Sequence, residues 1–198
     1  EAISGDEFGF VDDLIEIVDG STPEMNIEVS AITEDSNTTF KLLVNGVERV
    51  NTTKEGYDKA AGAVVLETLK CKTVISPSGT SENGGNQEED ENVNLSTKLD
   101  NWVLQRFPEL ASEQGDSMVI DNHDATSHYI LKNVSKKDIV LKFKVKFDEI
   151  TQDYNSMFFE VAFRNQNPTD LLWQRNDFYS LMFCPLMVGE KKYVKAYF

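Results

Sequence analysis

Apolar residues occupy every second position from Ile139 to Phe147, and lysines fill most of the positions between them. A period of two places alternate side chains on opposite faces of a β-strand, so one face of this segment is dry and the other is wet. The three lysines, Lys142, Lys144 and Lys146, are interpreted as a solvated face, and attraction of an acidic glycan is the alternative.

Similar but shorter patterns predict further strands elsewhere in the chain. They cover residues 26–31, 39–44, 47–50, 63–67, 71–75, 128–131, 157–164, 178–183 and 192–198. Asn45-Gly46 is a strong hairpin signal between two of them. Turns are predicted at residues 34–37, 133–137, 149–155, 165–170 and 188–190. Apolar residues between positions 8 and 18 have helical spacing, which predicts a short helix, with a strand over 14–18 as the alternative.

Many strands without intervening helices predict a mainly β protein built as an antiparallel β-sandwich. Residues 79–93 are rich in Gly, Ser, Asn and acidic residues, a composition that cannot bury a core. We therefore expect a small β-rich domain at 1–78, a flexible acidic linker at 79–93 and a β-sandwich at 94–198. A long surface loop inside one domain is the alternative for the acidic stretch.

The second half resembles the concanavalin A-like, laminin-G-type jelly rolls of lectins and surface proteins. The resemblance rests on Leu99-Asp100-Asn101-Trp102, the segments 115–120 and 129–131, the long strand at 138–147 and the segments 158–164 and 177–181. It implies a jelly roll that continues beyond Phe198, so we expect the chain to be a segment of a longer protein. Residues 40–46 resemble a bacterial immunoglobulin-like module.

Charge and composition narrow the classes of partner. The chain has 198 residues, a net charge of -15 and 40% hydrophobic residues, enough apolar material for a core. A strongly acidic chain is a poor nucleic-acid binder, because phosphate contacts need clustered Lys and Arg. The sequence contains no run of 18 apolar residues, so we expect no membrane insertion. We expect a secreted or cell-surface location.

A carbohydrate site is the favoured binding hypothesis. Aromatic faces stack on sugar rings, and planar polar side chains bond paired hydroxyls. Such residues cluster late in the chain, where a structural role at the sandwich edge is the alternative. The candidate ligand-binding residues for a glycan or polysaccharide are Arg164, Asn165, Trp173, Arg175, Asn176, Asp177 and Tyr179.

No cofactor is indicated with certainty, and calcium is the candidate. The loop Asp121-Asn122-His123-Asp124 is rich in oxygen ligands, of the kind that calcium prefers. Asp121 and Asp124 are the candidate metal ligands. A polar turn between two strands is the favoured alternative.

Catalysis has little support in the sequence. The E-x-D-x-x-E pattern expected of jelly-roll glycosidases is absent, and Glu160 is the one acidic residue in its predicted strand. His128 is interpreted as an ordinary strand-edge residue. The prediction is a non-catalytic extracellular binding module, carbohydrate-binding or adhesive. The alternatives are an accessory segment of a polysaccharide-degrading enzyme with its catalytic residues elsewhere, and a structural spacer.

Overall fold

The computed structural model describes residues 15–17, 24–78, 91–149, 158–171, 174, 177–188 and 191–197, and most of them lie in β-strands. The strands are β1 (Ile15–Ile17), β2 (Met25–Glu34), β3 (Asn37–Val44), β4 (Val47–Glu55), β5 (Gly62–Leu69), β6 (Lys72–Ser76), β7 (Asn92–Asn94), β8 (Trp102–Arg106), β9 (Ala111–Gln114), β10 (Ser117–Asp121), β11 (Thr126–Lys136), β12 (Ile139–Glu149), β13 (Phe158–Asn165), β14 (Tyr179–Val188) and β15 (Lys191–Tyr197). Single 3-10 turns lie at Leu99–Asn101 and Pro108–Leu110. None of the helices in this described part is long and apolar enough to cross a membrane.

The described strands form two sheets that pack face to face. Sheet A has the order β1-β15-β14-β13-β5-β11-β8, and sheet B has the order β4-β3-β2-β12-β6-β10-β9. Strand β7 pairs with β12 in parallel orientation, while the strands next to one another within the two orders are antiparallel. The mainly β, antiparallel sandwich expected from the sequence is therefore confirmed.

Strand β12 shows how the sequence pattern builds the core. Its alternating apolar residues, from Ile139 to Phe147, are all at most 1% exposed and face sheet A. The lysines between them point away from the core and are half-buried. Burial of such side chains contributes roughly 1.5–3 kcal/mol each, which fixes the face that β12 turns inward.

The expected division into two domains does not describe these sheets. Strand β12 from the second half lies between β2 and β6 from the first half, and β5 from the first half lies between β11 and β13 from the second. One hydrophobic core contains residues from Met25 to Ala196. Strands from both sides of the acidic stretch thus share both sheets, because each half contributes central strands that the other half must complete.

The two ends of the acidic stretch meet on the same side of β12. Ser76 at the end of β6 lies opposite Lys144, and Asn92 at the start of β7 lies opposite Val140. The Ser78 hydroxyl donates a hydrogen bond to Oδ1 of Asn94 at 2.9 Å. The chain therefore leaves and re-enters one sandwich at one place, as the surface-loop alternative expected. Residues 79–90 themselves lie outside the described residues.

Local predictions agree with the described strands in most places. The Asn45-Gly46 turn joins β3 to β4, and both residues have positive φ (53° and 77°), as a tight hairpin requires. Residues 15–17 form strand β1, which agrees with the strand alternative there, and the rest of the 8–18 helix prediction lies outside the described residues. The turn predicted at 133–137 is wrong: Asn133 (φ 60°) lies in an irregular part of β11, which continues to Lys136.

Candidate functional site

Arg164, a predicted sugar ligand, instead joins the two sheets. Its side chain is fully buried, and Nη2 donates to the Ala31 carbonyl at 3.0 Å and to Thr33 Oγ1 at 2.8 Å, both on the opposite sheet. Nε donates to the Lys137 carbonyl, and Asp138 Oδ1 lies 3.3 Å from Nη2. Burial lowers the pKa of this guanidinium, and the neighbouring Tyr179 and Asp138 oppose that shift. Arg164 therefore links the two sheets, and its buried side chain is inaccessible to a ligand.

Asn165 and Tyr179 are also internal. Oδ1 of Asn165 accepts a hydrogen bond from the Asn167 amide at 2.9 Å, which forms the turn after β13. The Tyr179 hydroxyl donates to the Tyr57 carbonyl, and its ring packs edge-on against Phe40 with centroids 4.8 Å apart. Burial raises the pKa of Tyr179 to about 12. These side chains support the fold rather than a sugar-binding surface.

The remaining predicted ligand residues do not assemble a site in the described structure. Asp177 is exposed, and its carboxylate pairs with Lys59 Nζ at 3.0 Å. Trp173, Arg175 and Asn176 lie outside the described residues.

The predicted calcium loop is a polar turn. Nδ2 of the buried Asn122 donates to the Thr68 carbonyl at 3.0 Å, and its Oδ1 accepts from the Ala125 amide at 3.1 Å. The Asp121 carboxylate faces two basic side chains, His123 Nε2 at 2.7 Å and Lys72 Nζ at 3.5 Å, while Asp124 is exposed. Among the described residues, no group of three or more His, Cys, Asp or Glu could hold a metal ion. The surroundings of Asp121 and Asp124 are therefore those of a polar turn between two strands, which was the favoured alternative to a calcium site.

A row of five residues, four of them polar, crosses the outer face of sheet A, and the sequence did not reveal it. Met182, Glu160, Glu67, His128 and Arg106 lie opposite one another on five neighbouring strands, from β14 to β8. The three central residues are fully buried. Glu160, which the sequence placed alone in its strand, therefore faces a second glutamate on β5. Side chains in such opposed positions have Cβ atoms about 4.5–5.5 Å apart.

His128 lies on β11, which is paired on both sides by β5 and β8, so its interpretation as an edge residue is wrong. Its Nδ1 lies 2.5 Å from Glu67 Oε1, and its Nε2 lies 2.6 Å from the carbonyl oxygen of Pro168. A carbonyl can only accept, so Nε2 carries a hydrogen in this arrangement. Nε2 is thereby occupied by the backbone and does not face an open space where a substrate could bind.

The only sequence signal for this row was an acidic residue at the end or in the middle of an apolar run. Glu67 follows residues 63–66 and Glu160 lies within residues 158–163. Such runs indicate strands buried on both faces. The pairing of Glu67 with Glu160 and His128 depends on sheet order, which these short runs do not encode.

The outer face of sheet B is different, because its charges are paired at the surface. Lys142 lies 3.7 Å from Glu28, Lys144 lies 3.5 Å from Glu24, and Lys146 lies 2.7 Å from Asp148. A depression of about 230 Å³ beside Lys142 is smaller than the roughly 300–1,000 Å³ typical of ligand pockets. The lysine row therefore has the character of a solvated, ion-paired face.

Phe107 is an exposed aromatic side chain that the sequence pattern did not indicate as a site. It follows β8 at the edge of sheet A, its backbone is left-handed (φ 53°, ψ 55°), and it precedes Pro108. The side chain is 36% exposed, and the Arg106 guanidinium lies over its ring, 5.5 Å from the centroid. The buried Tyr129 hydroxyl donates to the Phe107 carbonyl at 2.9 Å.

Cys71 is not an activated nucleophile. Both cysteines are free thiols; Cys71 is buried, and burial raises its pKa to about 12, so it stays protonated at neutral pH.

Comparison with models of known protein families gives no match, and comparison with curated proteins gives none either.

Proposed function

We propose that the chain is a non-catalytic, extracellular carbohydrate-binding module whose ligand stacks on Phe107. The observation that carries the proposal is the strained, exposed conformation of this aromatic residue. A bulky residue with positive φ is an outlier, and the residue before a proline is further biased away from helical conformations. Such strain costs on the order of 1–3 kcal/mol and is concentrated at functional sites.

The strain is maintained by a specific contact. Tyr129 is fully buried, and its hydroxyl bonds the Phe107 carbonyl, which also accepts from the Leu110 amide at 3.2 Å. Two donors on one carbonyl hold the peptide, and with it the ring, in a fixed orientation. A rigid ring loses little conformational entropy when a ligand binds, which favours affinity.

The chemistry of the surface fits a sugar ring. The ring of Phe107 supplies an apolar face, and the guanidinium of Arg106 supplies several hydrogen-bond donors for hydroxyl or carboxylate oxygens. Arg106 makes no ion pair with another described residue. The concanavalin A-like resemblance of the second half supports the same class of ligand and a secreted or cell-surface setting.

A glycan array probed with the full chain tests the proposal. Binding to at least one glycan is expected, and Phe107→Ala should reduce that binding at least tenfold because the stacking face is lost. The matched control is Val47→Ala, which removes another exposed apolar side chain (51% exposed) on β4, an edge strand of sheet B, and should leave binding unchanged. No binding by the wild type, or equal loss in both variants, would favour the spacer alternative.

Phe107→Gly separates binding from packing. Glycine adopts positive φ at no steric cost, so this variant should lose binding while keeping or slightly raising the free energy of unfolding. If Phe107 instead served packing, Phe107→Gly would destabilise the fold by more than about 1 kcal/mol.

A further inference from the structure

The segment Gln166–Leu171, which follows β13, reaches back across the outer face of sheet A. Its first residue is held near its base: Nε2 of Gln166 donates to the carbonyls of Ala60 and Ala61 at 3.0 and 3.2 Å, and the Gln166 amide donates to the Asp177 carbonyl at 3.0 Å. We call Gln166–Leu171 the cover. These contacts join amide N–H groups to backbone carbonyls, so they do not depend on protonation.

The tip of the cover, Pro168 and Thr169, is held by side chains of sheet A. The Pro168 carbonyl contacts His128 Nε2 at 2.6 Å, and the Thr169 carbonyl accepts from Gln105 Nε2 at 3.2 Å. Among the described contacts, these two side chains are what anchors the tip to sheet A. Gln105 precedes Arg106 and Phe107, so the tip borders the proposed sugar-binding surface.

His128 holds the tip only while both ring nitrogens carry hydrogens. Its two partners, Glu67 Oε1 and the Pro168 carbonyl, are both acceptors when the carboxylate is ionised. A neutral imidazole has one N–H, and the bond to a carboxylate is roughly twice as strong as a bond to a neutral acceptor. The hydrogen therefore stays on Nδ1, and the Nε2 lone pair then faces the lone pairs of the Pro168 oxygen.

We propose that His128 is a proton-dependent latch, which holds the tip of the cover when protonated and releases it when neutral. In the sheet, His128 lies between Glu67 on β5 and Arg106 on β8, and Glu160 on β13 lies opposite Glu67. The cover itself carries one acidic residue, Asp170. The closed state binds one proton more than the open state. Closure is therefore favoured at low pH, and the closing equilibrium falls by up to tenfold per pH unit as pH rises through the titration.

Release of the tip uncovers His128 beside the Arg106–Phe107 surface. The regulation of glycan binding by this latch rests on the proposed function, whereas the latch itself does not. An opened cover would lengthen the binding face along the polar row from Arg106 toward Glu67. Glycan affinity in the wild type would then change with pH in parallel with cover opening.

Hydrogen–deuterium exchange of the cover in the full chain tests the latch. Peptides that contain residues 166–171 are followed from about pH 5 to about pH 8, the range over which histidine titrates, with correction for the intrinsic exchange rate. Protection in the wild type should fall by at least tenfold over this range. His128→Gln should show weak protection without the pH dependence, and His123→Gln, which changes the other histidine of the chain, should behave as the wild type. Constant protection in the wild type, or an unchanged slope in His128→Gln, would overturn the latch.

Glu67→Gln gives the opposite signature. A neutral amide can donate to Nδ1 of a neutral imidazole, so Nε2 keeps its hydrogen and the cover stays closed at all pH values in the range.

Nitrogen-15 NMR of the wild-type histidines provides a readout that needs no variant. Nε2 of His128 should lose its hydrogen at high pH, and retention of Nε2–H there would contradict the latch. The outcome is independent of whether any glycan binds.

Discussion

The outer faces of the two sheets carry the same kinds of residue in opposite environments. On sheet B, Glu28 lies opposite Lys142 across β2 and β12, and both side chains keep contact with water. On sheet A, Glu67 lies opposite His128 across β5 and β11, and neither is exposed. In both pairs the two residues lie directly opposite one another, and we expect the difference in burial to dominate what each pair contributes to stability.

The largest difference should follow from removal of the glutamate in each pair. Glu67→Ala leaves His128 buried without its carboxylate and creates a cavity, so the free energy of unfolding should fall by about 3–5 kcal/mol. Glu28→Ala removes a surface pair and should cost about 1 kcal/mol or less. Urea unfolding of the two variants measures both values. Equal losses would show that sheet A's outer face is no drier than that of sheet B.

Gly62 tests how tightly β5 is packed against β13 in sheet A. A Cβ atom at position 62 would lie 2.4 Å from the backbone carbonyl carbon of Arg164 and 2.5 Å from the amide nitrogen of Asn165. Backbone atoms cannot rotate away, so Gly62→Ala should destabilise the fold by about 1–3 kcal/mol or more through overpacking.

Gly46→Ala on sheet B is the matched control for Gly62→Ala. A Cβ at Gly46 meets no atom within 4 Å, and only its φ of 77° opposes the substitution. It should cost about 1 kcal/mol, and thermal unfolding would rank the two. A larger loss in Gly46→Ala would contradict the close approach of β5 to β13.

The two faces also mark where sequence reasoning succeeded and where it stopped. Period-two alternation correctly oriented β12, because its outward positions are lysines that must reach water. The same reasoning could not orient β5 or β13, where outward positions such as Val65 and Ala162 are as apolar as the inward ones. Alternation reports a contrast between two faces, and strands buried on both faces have none.

The candidate site was missed for a related reason. Arg164, Asn165 and Tyr179 have the composition of a sugar site, but residue type does not reveal which way a left-handed Arg164 (φ 49°) directs its side chain. The domain division failed because sheet order is set by contacts between residues far apart in the chain. The acidic composition of 79–93 indicates a segment outside the core, and a loop within one sandwich satisfies that as well as a linker does.

Alkaline pH should weaken the sandwich through Tyr129, a residue of sheet A. Burial raises its pKa to about 12 from an ordinary value of 10, so the folded state prefers the neutral phenol. Its contribution to stability is present below pH 10 and is lost as pH rises from 10 toward 12, because the unfolded chain ionises first. Unfolding at increasing pH should show a shallower loss in Tyr129→Phe than in the wild type. Identical pH profiles would show that Tyr129 ionises as easily in the fold as outside it.

The smallest effect is expected for Lys144→Ala on the outer face of sheet B. Lys144 Nζ lies 3.5 Å from Glu24 Oε1, and both side chains are more than a quarter exposed. Exposed pairs of this kind contribute roughly 0–1 kcal/mol, and salt screens them. The loss in unfolding free energy should therefore be under about 1 kcal/mol at low ionic strength and smaller still in 1 M salt. On the outer face of sheet A, water and ions do not reach Glu67 and His128 while the cover is closed, so the cost of Glu67→Ala in that state should not change with salt. A salt-sensitive Glu67→Ala or a salt-insensitive Lys144→Ala would remove the distinction between a wet face on sheet B and a dry one on sheet A.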